Sequence, residues 1–176
     1  MKTNDSGRVV YMNGVYVSEK DAKISIFDSA LMFGDMIFEM TRSFNKKHFK
    51  LKEHLERLLY GVKIYRIPLN LNIDDLEKIC LETAEKNDKF FSSTDEHRLM
   101  INISRGPLGI YAPIFDNKIE TTVVVADFPL KWTVASMGKL YDEGINLVLV
   151  NQRAIPAHLM DPKIKNRSRV FYQMAN

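Results

Sequence analysis

The sequence predicts an α+β fold, and three observations carry that prediction. Short apolar runs on either side of Asn13-Gly14 open the chain as a hairpin, two helix-periodic stretches fill its middle, and β-branched runs return after Phe91. The order is strands, helices, strands, without the strict alternation that builds a parallel sheet. Residues 1–126 are therefore expected to form a small N-terminal domain of α/β type, with an antiparallel sheet and two helices. Residues 127–138 are expected as an interdomain loop, and residues 139–176 as the opening of a second, β-rich and incomplete domain.

Val9 to Met12 and Val15 to Val17 flank a turn pair that tolerates positive φ. Asp28 is placed to cap a short helix, Ser29 to Phe33, which Gly34 ends. Ile37 to Phe44 reads as a strand, and Asn45-Lys46-Lys47 turns it into a second strand through Phe49. Leu51, Leu55, Leu58, Leu59 and Val62 recur at helical spacing and make one buried stripe, with Pro68 barring continuation. Asn72 starts a second helix with Asp74 and Asp75 in its first turn, where the helix dipole favours anions. Its inner face is Leu76, Ile79, Cys80 and Thr83. Leu99 to Ile103 and Thr121 to Ala126 are strands. Phe128 to Trp132 reads as a connecting loop, and Ile145 to Val150 as a short buried strand.

Composition narrows the function classes. The chain has 176 residues, 45% hydrophobic and 27% charged, which suits a globular protein and excludes collagen-like or largely disordered chains. One cysteine, Cys80, excludes an internal disulfide and a CxxC zinc site, so no metal site is expected. Met1 to Gly7 is polar and no apolar run reaches spanning length, so neither a signal peptide nor a membrane contact is expected and the default location is cytoplasmic. Walker, GxGxxG, HExxH and GxSxG motifs are absent.

The net charge of +3 is unevenly spread: residues 151–176 hold five basic residues and one acid, leaving 20 basic and 21 acidic residues in the rest. A nucleic-acid arm is one reading of that tail, because Lys163, Lys165, Arg167 and Arg169 alternate and would share one strand face. No aromatic interleaves them as a stacking platform, and the remaining chain would repel a polyanion, so no nucleic-acid partner is expected.

A second reading comes from ordered motifs. Met12-Asn13-Gly14, Phe33-Gly34-Asp35, Phe38-Glu39, Arg42 and His54-Leu55-x-Arg57-Leu58 are followed by Arg98, Ser104-Arg105-Gly106, Arg153-x-x-Pro156 and Asp161-Pro162-x-Ile164-Lys165. The set resembles the class IV (fold-type IV) pyridoxal-phosphate enzymes: branched-chain and D-amino-acid aminotransferases and aminodeoxychorismate lyases. The resemblance implies pyridoxal 5'-phosphate as cofactor and Lys165 as the amine that binds it covalently and moves protons. A lysine supplies both roles, and the cations Lys163, Arg167 and Arg169 beside it favour its neutral form. It implies that Arg57 holds the cofactor phosphate, a task suited to a guanidinium fork. The plainer alternative for Arg57 is a surface pair with Glu53. Phe33, Phe38 and Arg98 match substrate-pocket positions, each otherwise an ordinary core or strand residue, and Trp132 is read either as lining the pocket between domains or as anchoring the loop. Glu39 and Arg42 read as structural or as supports behind the residues that line the site.

Two departures from the branched-chain pattern stand out: Met40 replaces a usual glycine, and no tyrosine follows Lys165 until Tyr172. Arg169 is the expected substitute as partner of the cofactor's phenolate. The substrates expected are an amino acid, first a branched-chain L-amino acid, and a 2-oxo acid. D-amino-acid transamination and aminodeoxychorismate cleavage are the alternatives, as is a catalytically silent relative keeping only the fold. By resemblance, a homodimer is expected of the full-length protein. The chain itself is expected to be an N-terminal fragment, inactive or nearly so alone, because the family's large domain continues beyond the position of Lys165.

Overall fold

The structure, a computed structural model, describes residues 6–174. The polar stretch Met1 to Gly7 is thus described only from Ser6. Six strands form one antiparallel sheet: β1 (Val9–Met12), β2 (Val15–Ser18), β3 (Met36–Phe44), β4 (Lys47–His48), β5 (His97–Ser104) and β6 (Thr122–Pro129), in the order β2-β1-β6-β5-β3-β4. The expected hairpin is β1-β2, with Asn13 and Gly14 both at positive φ.

Helix α1 (Ser29–Phe33) begins where expected, with Asp28 accepting from the Ala30 amide at 2.8 Å and Gly34 closing it in the left-handed conformation. Asp28 is also a tether: Ser104 Oγ donates to it at 2.7 Å and Thr122 Oγ1 at 2.6 Å, which fastens α1 to β5 and β6.

Helices α2 (Leu51–Ile64) and α3 (Ile73–Asp88) cover one face of the sheet. Alternation along β3 turns Ile37, Glu39, Thr41 and Ser43 toward them, and all four are buried. Leu99, Ile101, Ile103, Val123 and Val125 face the same way and meet the expected stripes: Leu51, Leu55, Leu58 and Val62 of α2, with Leu76, Ile79 and Cys80 of α3. Asn72 starts α3 with a capping box closed by Asp75. Helix α2 stops before Pro68, because Arg66 enters the left-handed region and Arg105 donates to the carbonyls of Tyr65 and Arg66 at 2.7 and 2.8 Å.

Two sequence expectations fail. Residues 128–132 are not a loop: β6 runs through Pro129, and Leu130 begins helix α4 (Leu130–Met137). Pro129 stands opposite His97 at the strand end, where an absent N–H removes no interior ladder bond, and it doubles as the residue preceding a helix. Ile145 to Val150 is not a buried strand either. It follows α5 (Leu140–Glu143) without pairing among the described residues, and Leu147, Val148 and Leu149 are more than four-fifths exposed. A β-branched run becomes a strand only when a neighbouring edge accepts its ladder. Helix α6 (Val170–Gln173) is the last element among the described residues.

Candidate functional site

Glu39 is a carboxylate placed by strand register inside the helix-covered face, with no exposed surface. A buried charge needs partners, and α2 supplies two from residues three apart on one side of the helix. His54 Nδ1 lies 2.9 Å from Glu39 Oε2, while Arg57 forks onto the carboxylate through Nε at 2.5 Å and an Nη at 2.9 Å. Burial pushes the Glu39 carboxyl up, but the Arg57 and His54 hydrogen bonds, together with the charges of Lys165 and Arg57, outweigh it and hold it below the usual carboxylate range. Arg57 therefore pairs with Glu39; Glu53 lies 3.7 Å from Lys50 instead. Two of the guanidinium's five N–H donors face Glu39, and the side chain stays 46% exposed.

The tail brings the third group. Ile164 enters the core, where α2 carries Gly61: a Cβ there would stand 2.9 Å from Ile37 Cγ2 and 3.5 Å from Ile164 Cγ2. The Phe38 amide donates to the Lys165 carbonyl and the Arg167 amide to the Met36 carbonyl, both at 2.9 Å. Residues 165–167 thus add a short antiparallel rung to the edge of β3, with Asn166 opposite Ile37. Lys165 Nζ comes within 3.7 Å of Glu39 Oε2 and 5.1 Å of the Phe38 ring centroid. It meets an anion that the sequence reading had not placed there.

Beside these groups lies a cavity of about 240 Å³ to which Arg57, Lys163, Lys165 and Arg169 bring charge, Ser168 and Tyr172 hydroxyls, and Ile155, Met160, Pro162 and Ile164 apolar surface, with no carboxylate in its wall. Its cations suit a small, multiply charged anion.

The structure gathers only part of the expected site. Arg57, Lys165 and Arg169 share this cavity, and Phe38 is buried beneath Lys165 and Arg167. Phe33 ends α1 with its ring 67% exposed, so it does not line an enclosed pocket among the described residues. Arg98 lies on the open face of the sheet, bonded to Thr133 Oγ1 and lining a separate hollow of about 280 Å³ with Met40 and Arg42. Trp132, on α4, stacks on Phe128 and lies under the Arg8 guanidinium at 4.7 Å. Arg42 sits over the Phe44 ring at 4.0 Å. Sequence reasoning reads Glu39 as structural or a support behind the site and does not pair it with His54, Arg57 and Lys165. The available signal was a charged residue in the buried register of a strand, facing His and Arg three apart on an amphipathic helix.

Among the described residues no group of three or more histidine, cysteine or carboxylate side chains is arranged to hold a metal ion, and no helix is long and apolar enough to cross a membrane.

The two-layer fold thus brings an amine and an arginine together on one buried carboxylate, beside a cavity that both help to line. Residues 36–176 match the family described as amino-transferase class IV, and the chain belongs to that family. It is 28% identical over 159 residues to the branched-chain-amino-acid aminotransferase of Escherichia coli K12, covering 88% of this chain and 49% of that protein. It is 37% identical over 79 residues to the D-alanine aminotransferase of Staphylococcus epidermidis, covering 45% of this chain and 28% of that one. The fold is similar to that of a crystallised branched-chain aminotransferase from Thermoproteus uzoniensis, at a TM-score of 0.72 and 23% identity, over 94% of this chain and 52% of the other. The chain spans about half the length of the branched-chain relatives it matches.

Proposed function

We propose that the chain contributes the cofactor amine and the phosphate-binding arginine of a pyridoxal 5'-phosphate-dependent aminotransferase. Its substrates are a branched-chain L-amino acid and a 2-oxo acid. The observation that carries this is the meeting of Lys165 and Arg57 on the Glu39 carboxylate beside a cavity with four cations and no carboxylate in its wall. The donor set fits the cofactor, whose phosphate and phenolate are anionic and whose aldehyde needs an amine. When bound, that cofactor supplies an electrophilic carbon for amines and a ring that draws electrons from the substrate's α-carbon. Arg57 would hold the phosphate with the N–H donors that Glu39 leaves available, and Arg169 would face the phenolate. Lys165 Nζ would be both the attachment point and the group that carries the α-proton between carbons. Glu39, pinned by His54, orients Arg57 and Lys165 together.

The substrate class is supported by the branched-chain relatives matched over most of this chain. The D-alanine aminotransferase likeness, confined to 79 residues, supports D-amino-acid transfer as the second reading. Phe38 and Arg98 remain our substrate-side candidates, and Phe33 becomes one only if another surface covers it. We further read residues 1–126 as one domain, 127–138 as its connection and 139–176 as the start of the next. A homodimer in the cytoplasm is the assembly this reading expects, with no nucleic-acid partner. The deciding experiment is incubation with pyridoxal 5'-phosphate, borohydride reduction and peptide mass spectrometry. A phosphopyridoxyl adduct concentrated on Lys165 is expected; adducts scattered over surface lysines would refute the reading.

A further inference from the structure

We propose that Arg167 is a positioning residue, clamping the lysine-bearing segment to the sheet and so fixing where the Lys165 amine stands relative to Arg57. The inference rests on the reading of Lys165 and Arg57 given above.

The segment is joined to β3 by only two backbone bonds, Phe38 to Lys165 and Arg167 to Met36. Two such bonds contribute about 1–3 kcal/mol together, too little to define one register for a polar tail. The side chain of Arg167 adds the missing constraint. Its guanidinium lies 3.9 Å from the Phe38 ring centroid, and Nε and an Nη converge on Asn102 Oδ1 at 3.1 and 2.9 Å. The same Nη is 2.9 Å from Met100 Sδ. Asn102 is itself 7% exposed and stands directly opposite Phe38 in the β3-β5 ladder. The arginine therefore grips a fixed rung of the sheet, and the strand residue beneath it is the one that bonds Lys165.

The residue before Lys165 is secured on the opposite face, where Ile164 packs beside Gly61 and Ile37. Lys165 thus sits between two anchors on the two faces of one sheet, its side chain 35% exposed and its amine at Glu39. A guanidinium suits this grip because it offers a flat face for the ring and a fork for the amide oxygen, neither of which a lysine supplies. Among the described residues no carboxylate forms an ion pair with Arg167, so salt-bridge formation does not account for its placement. Burial, with the charge of Arg169, pulls its pKa below the ordinary arginine value, a cost that a stray surface arginine does not carry.

The test compares the parent chain with Arg167→Met, Arg167→Lys and Asn102→Leu. Each is loaded with pyridoxal 5'-phosphate and reduced, and the share of adduct on Lys165 is counted. The pH midpoint of the bound cofactor's visible absorbance is followed in parallel. Arg167→Met and Asn102→Leu should each lower the Lys165 share about tenfold, with adduct moving to other lysines, and both should shift the absorbance midpoint. Arg167→Lys should not restore either quantity. An undiminished Lys165 share in both Arg167→Met and Asn102→Leu would overturn the clamp while leaving the cofactor reading intact. Full rescue by Arg167→Lys would overturn it as well, since charge alone would then suffice. If Arg167→Met fails to fold, Asn102→Leu decides, because it keeps the arginine and removes only its acceptor. If the parent does not label Lys165, the cofactor reading falls, and the clamp with it.

Discussion

Glu39 shows how one register position can organise chemistry. Its neighbours in sequence, Phe38 and Met40, face the open side of the sheet, while Glu39 turns inward to His54, Arg57 and Lys165. Its carboxyl is held below the unfolded value of about 4.3. Its contribution to stability is therefore fully present above that pH and is lost as pH falls through the folded-state pKa. Glu39→Gln keeps the shape and removes the charge. Because Arg57 and Lys165 are partly solvated, the expected loss at pH 7 is about 1–2 kcal/mol. Urea unfolding should show the gap between variant and parent narrowing as pH falls below about 4.3; a gap that stays constant down to acid pH would contradict the ionised hub. The expectation that Lys165 and Arg57 come together was readable from their motifs, and they line one cavity. The hub was not, because the step from a charged strand residue to its partners depends on which helix covers that face.

At the scale of elements, the sequence was most informative where local chemistry decides the outcome. Asp28, Gly34, Asn13-Gly14 and Asn72 mark their caps and turns through short-range bonds that any fold would use, and the α2 stripe needs only a surface to cover. It was least informative where pairing decides. Pro129 reads as a breaker yet completes β6, and Ile145 to Val150 has strand composition without an edge to join. Gly61 belongs to this scale too. In an exposed helix, glycine to alanine would stabilise by about 1 kcal/mol. Here the added methyl meets Ile37 Cγ2 at 2.9 Å, on a β-branched side chain that cannot swing clear. Gly61→Ala should therefore destabilise by about 1–2 kcal/mol net and weaken trapping at Lys165 by shifting Ile37, which pairs with Asn166 of the lysine-bearing segment. Thermal unfolding together with the borohydride assay checks both parts, and a stabilised, fully labelled variant would refute the packing argument.

For the whole molecule, α3, β4, β5 and β6 are tied at His97. Its ring bonds Asp127 through Nδ1 at 2.9 Å and Asp88 through Nε2 at 3.0 Å, with Phe91 stacked on it. Burial lowers the His97 pKa, but the two carboxylates outweigh burial and raise it above the ordinary value, against a smaller opposing push from Lys46. Its stabilising contribution is therefore present below about pH 6.5 and lost as pH rises through the folded-state pKa. His48, whose ring is centred 5.8 Å away, is pushed down to about 4 by burial and by the His97 charge, despite Glu96. An NMR titration should find these adjacent rings on opposite sides of the usual midpoint; a shared midpoint near 6.5 would refute the arrangement.

The rung formed by residues 165–167 on β3 also bears on time. It joins parts of the chain separated by roughly 130 residues, a closure that local contacts cannot assist and that slows folding. The helix-covered core draws most of its contacts from residues before 130, so it can assemble while the tail is still searching for its edge. Refolding followed by pulsed reduction with pyridoxal 5'-phosphate should show helical signal returning before Lys165 becomes labelled. Simultaneous recovery would mean that the tail docks with the core and not after it. A site completed last is also the first to open, so local loss of cofactor competence should precede global unfolding.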